Sequence, residues 1–137
     1  MAHAIHGYNG PCKNVHGHSY ELHVTAGPNH YDDDYIPAPG LVIDFKEIKS
    51  IVNNTIIQKL DHKLVLSTGF LQKHPEFSAL ENLVTWEAEP TAENMLVYIR
   101  KSLAEKFPKD IVLLRLKLYE TKDSYAEWIK DNTFNRY

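Results

Sequence analysis

The chain has 137 residues, a formal charge of −3, 43% apolar and 24% charged side chains, and a single cysteine. That length buries a core without staples, so a single domain over 1–137 is expected. One cysteine excludes an internal disulfide and fits a cytoplasmic protein. No apolar run nears the roughly 18 residues of a membrane span, no signal-peptide core opens the chain, and no Lys/Arg cluster offers a nucleic-acid footprint.

In chain order, residues 18–26, "HSYELHVTA", alternate: Tyr20, Leu22, Val24 and Ala26 share one face, which predicts a half-buried strand. Residues 27–40, with three prolines and three consecutive aspartates, predict a long exposed loop. A helix is predicted over 44–60, where Asp44 caps, Glu47 sits at N3, and Phe45, Ile48, Val52, Ile56 and Leu60 form a stripe at helical spacing. Residues 67–90 read as irregular. A second helix is predicted from Thr91, with Met95, Ile99, Leu103 and Phe107 facing inward and an end before Pro108. Residues 111–121 predict a strand with Val112, Leu114, Leu116 and Leu118 on one face, and 125–130 its antiparallel partner. The sum is an α+β domain in which two helices cover one face of a small antiparallel sheet.

The chemistry concentrates in "CKNVHGHSY", residues 12–20. Residues two apart in a strand point the same way, so His16 and His18 can converge on one ion, with His3 or His6 as a third ligand. Gly17 between them removes a side chain where something can pack closely. Polar residues at a strand start are the plain alternative. Cys12 as a fourth ligand would close a tetrahedral structural zinc site. Cys12 off the metal would leave an open catalytic position, with the thiol free as base or nucleophile. Asp61 and His62 in "LDHK" form a pair in which the carboxylate can tune the imidazole for proton transfer. Glu120 ends a strong strand, where a carboxylate can grip a guanidine-like ring edge through paired hydrogen bonds.

Six pieces in order carry a resemblance: "AH" at 2–3, "CKNVHGHSY" at 12–20, "GLVIDF" at 40–45, "LDH" at 60–62, "PTAEN" at 90–94 and "ET" at 120–121. Together the chain resembles the 6-pyruvoyltetrahydropterin synthase family, which includes the bacterial 6-carboxy-5,6,7,8-tetrahydropterin synthases. The resemblance implies a tunnelling fold (T-fold) whose sheets join into a barrel in a homohexamer, a dimer of trimers, with pockets between subunits. It implies Zn2+ on His3, His16 and His18, with Cys12 as catalytic base and Asp61 and His62 as its partners. It also implies that Glu120 anchors the pterin ring and that Thr91 contacts it. The substrate implied is 7,8-dihydroneopterin triphosphate, with no nucleic-acid or membrane partner. "VIDF" is similar to the bacterial branch, which makes 6-carboxytetrahydropterin for the queuosine and deazapurine pathway. The branch that makes the tetrahydrobiopterin precursor carries Asn-Leu where this chain has Asp44-Phe45. The family pattern also has a full strand ahead of the zinc histidine, of which Met1-Ala2 leaves little, so a less firmly held metal is expected. No basic cluster marks a triphosphate site, and Lys13 is a candidate by proximity.

Overall fold

The computed structural model describes residues 1–30 and 33–130. Its longest pairing joins β3, Glu21–Pro28, to the eleven-residue β6, Ile111–Thr121, and β6 in turn pairs with β7, Ser124–Ile129, all antiparallel. The predicted alternation of 20–26 holds: Leu22, Val24 and Ala26 are half-buried, while Glu21, His23 and Thr25 are exposed. β3 runs on through Pro28, so the predicted loop begins two residues later than expected; its residues 31 and 32 lie outside the described residues.

The inward face of β6 differs from the expected one at its first half. Thr25 pairs with Arg115 but Ala26 pairs with Leu113, so Leu114 is left unopposed in a bulge. A bulge shifts the side-chain alternation by one residue. Leu113, Leu116 and Leu118 are therefore the buried residues, and Val112 and Leu114 are only partly covered. A second shift lies between Tyr119 and Thr121, leaving Glu120 unopposed by β7.

Two helical runs pack on that face. α1, Phe45–Val52, continues through a π-helical stretch, Asn53–Ile57, into the short α2, Gln58–Leu60. Asp44 caps α1 by accepting from Lys46 N at 2.8 Å. The predicted stripe is buried only at its far end: Ile56 and Leu60 enter the core, whereas Phe45 is 78% exposed on the rim of an open cavity that it shares with Leu22, Val24 and Ala26 of β3. A later helix, introduced below, brings Met95, Leu96, Ile99 and Leu103 onto the same Leu113–Leu116–Leu118 surface.

The expectation of one small antiparallel sheet, with 67–90 irregular, is corrected. A second, four-stranded sheet has the order β2-β1-β4-β5. β1 is Ala2–His3, β2 His16–Gly17, β4 Leu64–Ser67 and β5 Leu83–Trp86. β1 pairs antiparallel with β2 but parallel with β4, and β4 parallel with β5. Between β4 and β5 lie α3, Thr68–Lys73, and a 3-10 turn, Pro75–Ala79. All four residues of β4 are buried, so the strand has no polar face and shows no alternation; Ser67 spends its hydroxyl capping α3 at Phe70 N, 3.0 Å away. Leu64, Leu66, Phe70 and Ala4 form a satellite core under this sheet.

The remaining helix, α4, spans Ala92–Leu103, and Thr91 caps it as predicted by accepting from Asn94 N. Neither sheet closes on itself among the described residues. Among the described residues no helix is long and apolar enough to cross a membrane.

Candidate metal centre and adjoining cavities

His3 sits in β1 between two strands and is 2% exposed. Its Nδ1 lies 2.6 Å from Pro90 O. On β2, His16 Nδ1 lies 2.8 Å from Asn14 O. A carbonyl oxygen can only accept, so both Nδ1 atoms carry hydrogens, and in the neutral form of each ring Nε2 is a bare lone pair. Those two Nε2 atoms face each other at 3.2 Å. Two lone pairs so close repel unless a cation or proton sits between them. The third imidazole, His18, has a buried Nε2 without a hydrogen-bond partner. The ligand atoms of His3, His16 and His18 lie within 4.8 Å of one another, and among the described residues these three form the cluster that can hold an ion.

The cluster fits a zinc ion. Three imidazoles, two of them with the tautomer set by an Nδ1 bond to a carbonyl, together with an open fourth position, match the donor set of catalytic zinc. Burial holds the His3 pKa below its ordinary 6.5, outweighing the bond to Pro90, so the ring stays unprotonated and available. The expected packing need for Gly17 is not met: a Cβ there would lie an ordinary 3.5 Å from Met1 O. His6 stands apart from the cluster, its ring over Gly69 and its backbone N–H donating to Glu89 Oε2 at 2.7 Å.

Glu120 reaches the cluster from the end of β6. Its Oε1 is 3.4 Å from His3 Nε2 and 3.7 Å from His18 Nε2. Tyr20 donates its hydroxyl to that same Oε1 at 2.8 Å, and the hydroxyl lies 3.3 Å from His3 Nε2. Burial, then the bond to Glu120, push the Tyr20 pKa well above the ordinary phenol value, so the hydroxyl remains a donor. Tyr20 was read from sequence only as a core-facing residue. The signal was present, because 16, 18 and 20 share the period of two that brings His16 and His18 together.

A cavity of about 330 Å³ adjoins the cluster, and it gathers four of the expected residues: His3, Cys12, Thr91 and Glu120. Cys12 sits in the 3-10 turn Pro11–Lys13, a free, half-buried thiol whose carbonyl accepts from Ile5 N at 2.8 Å. Tyr8 and Tyr125 add aromatic walls. Lys13 is exposed and does not line this cavity.

Asp61 and His62 do not join that cavity. They border a separate one of about 560 Å³, lined also by His18, Tyr20 and the apolar residues Ile56 and Leu60. His62 Nδ1 is 3.1 Å from Asp61 Oδ1, so the expected pair forms, but both side chains are exposed. His62 adopts φ 57°, the left-handed region that non-glycine residues avoid.

The model of the family described as 6-pyruvoyl tetrahydropterin synthase matches residues 1–130. The 6-carboxy-5,6,7,8-tetrahydropterin synthase of Haemophilus influenzae is 30% identical over 132 residues, covering 93% of this chain and 91% of its own. The 6-pyruvoyl tetrahydrobiopterin synthase of Pongo abelii is 33% identical over 117 residues, covering 84% of this chain and 68% of its own. The fold is shared with the solved 6-pyruvoyl tetrahydropterin synthase of Caenorhabditis elegans, with a TM-score of 0.64 at 21% identity over 95% of this chain and 88% of that one. The chain belongs to the 6-pyruvoyl tetrahydropterin synthase family, whose named relatives are lyases that make tetrahydropterins.

Proposed function

We propose that the protein is a zinc-dependent 6-carboxy-5,6,7,8-tetrahydropterin synthase of the cytoplasm. It would convert 7,8-dihydroneopterin triphosphate and water to 6-carboxytetrahydropterin, acetaldehyde and triphosphate, a step toward queuosine and related deazapurines. The observation that carries the reading is the convergence of three imidazoles beside a cavity lined by Cys12, Thr91 and Glu120. The bacterial relative of that name, similar over nearly the full length of both chains, supports the choice of product.

Zinc, when held by His3, His16 and His18, supplies Lewis acidity toward the substrate's side-chain hydroxyls. Glu120 receives the amidine edge of the pterin through paired charge-assisted hydrogen bonds. Thr91, fixed at the start of α4, contacts the ring. Cys12 moves protons at the substrate side chain as triphosphate departs. Asp61 and His62 relay those protons. They line a different cavity from Cys12 within one chain. The reading therefore places them in a pocket completed by a second copy, within a hexamer built as a dimer of trimers on the T-fold barrel.

The relative from Pongo abelii favours a second reading, elimination of triphosphate to 6-pyruvoyltetrahydropterin. Incubation of the zinc-loaded protein with 7,8-dihydroneopterin triphosphate, followed by product identification, decides between them. Acetaldehyde with 6-carboxytetrahydropterin is the expected result. Release of triphosphate with 6-pyruvoyltetrahydropterin alone selects the second reading, and absence of turnover with zinc bound leaves a non-catalytic pterin-binding module.

A further inference from the structure

We infer that Tyr20 is a positioning residue that couples occupancy of the metal centre to the orientation of Glu120. The inference rests on the reading of Glu120 as the pterin anchor. Its physical basis is a competition for one hydrogen. The Tyr20 hydroxyl has a single hydrogen and two acceptors in reach, Glu120 Oε1 at 2.8 Å and His3 Nε2 at 3.3 Å. His3 Nε2 is an acceptor because its Nδ1 is bound to Pro90 O. A cation on His3 Nε2 takes up that lone pair and leaves Glu120 as the hydroxyl's one remaining acceptor of the two.

Glu120 needs such a tether. It sits at the register shift between β6 and β7, unopposed by the neighbouring strand, and side chains at bulges are aimed by their local contacts more than by the ladder. Its Oε1 faces the histidines while the residue also lines the cavity that holds Cys12 and Thr91. Tyr20 itself is held in place, with its ring edge-on to His3 at 6.0 Å and to His18 at 5.5 Å between centroids. A phenylalanine keeps these ring contacts and loses only the hydroxyl. Metal loading thus removes the competing acceptor and firms the Tyr20–Glu120 bond that the structure already shows, so that metal-free protein holds the carboxylate less firmly and binds the ring more weakly.

The test uses 6-methylpterin, which carries the amidine edge but no side-chain hydroxyls for zinc to chelate. Its affinity is measured by fluorescence for metal-free and zinc-loaded protein. The wild type is expected to bind about tenfold more tightly with zinc, the scale of one hydrogen bond to a charged group. Tyr20→Phe is expected to hold zinc at the same stoichiometry and to bind 6-methylpterin equally with and without it. The inference is overturned if zinc changes nothing in the wild type, a result that needs no variant, or if Tyr20→Phe keeps the wild-type ratio. Glu120→Gln separates the two ideas. Weakened 6-methylpterin binding in Glu120→Gln beside an unchanged ratio in Tyr20→Phe sinks only the role of Tyr20. Unchanged binding in Glu120→Gln sinks the anchor, and the coupling with it.

Discussion

The two cavities that flank the histidine cluster hold their polar groups in opposite ways. On the Cys12 side each group has a partner fixed by the fold: His3 on Pro90, Glu120 on Tyr20, Thr91 on Asn94. On the other side Asp61 and His62 have each other at 3.1 Å and are 59% and 93% exposed. Water screens such a pair and weakens its mutual tuning. The difference teaches that one side has its polar groups partnered within the chain, whereas the other leaves its pair open to solvent, where the proposed second copy would cover it. The left-handed φ of His62 points the same way, since strain of about 1–3 kcal/mol persists where the surroundings or a function demand it.

Removing the best-held group breaks the comparison most severely. His3→Ala is expected to lower zinc affinity by roughly two orders of magnitude or more, read by metal titration, and to depress the melting temperature because Pro90 O loses its donor. Cys12→Ala should reduce turnover by about 10²–10⁴ while zinc stoichiometry, measured by mass spectrometry of the native protein, stays unchanged. Loss of zinc together with Cys12 would make the thiol a ligand instead. Asp61→Asn probes the exposed side. Turnover is expected to fall about 10²-fold with unfolding free energy altered by less than about 0.5 kcal/mol, as for other surface substitutions.

Acid should also separate the two sides. The folded-state pKa of His3 lies below its unfolded 6.5, so the unfolded chain binds more protons in the window between the two. Stability therefore rises with pH there and is lost as pH falls below 6.5, and zinc is released over the same range because protons compete for the imidazoles. Thermal melts of metal-free protein across that window check the sign; a midpoint that rises on acidification contradicts it. A modest effect belongs to Thr91→Ala, which removes the cap of α4 at a cost of about 1 kcal/mol, measurable by denaturant titration.

Both helices and the three antiparallel strands were legible because each carries a one-sided apolar pattern or a cap. β4 was not, since "LVLS" is buried on every side and parallel strands in a sheet interior show no alternation. The bulge at Leu114 was hidden for a different reason. It is set by the register with β3, a relation between residues about ninety positions apart that no local window contains. In the site, the His16–Gly17–His18 spacing suggested a metal, but the choice of His3 over His6 came from family resemblance. The carbonyls of Pro90 and Asn14 were unreadable, because any residue supplies a carbonyl and only the folded backbone aims it.

The placement of β1 has a consequence for the order of events during synthesis. Ala2 pairs with Leu64 in the neighbouring strand, and His3 donates to a carbonyl 87 residues further along. The ribosome therefore releases the first histidine of the cluster long before its support exists. Contacts of such long sequence separation form late and slow folding. His3 has to wait, unplaced, until Pro90 has emerged, and a metal ion arriving earlier would meet His16 and His18 without their fixed partner.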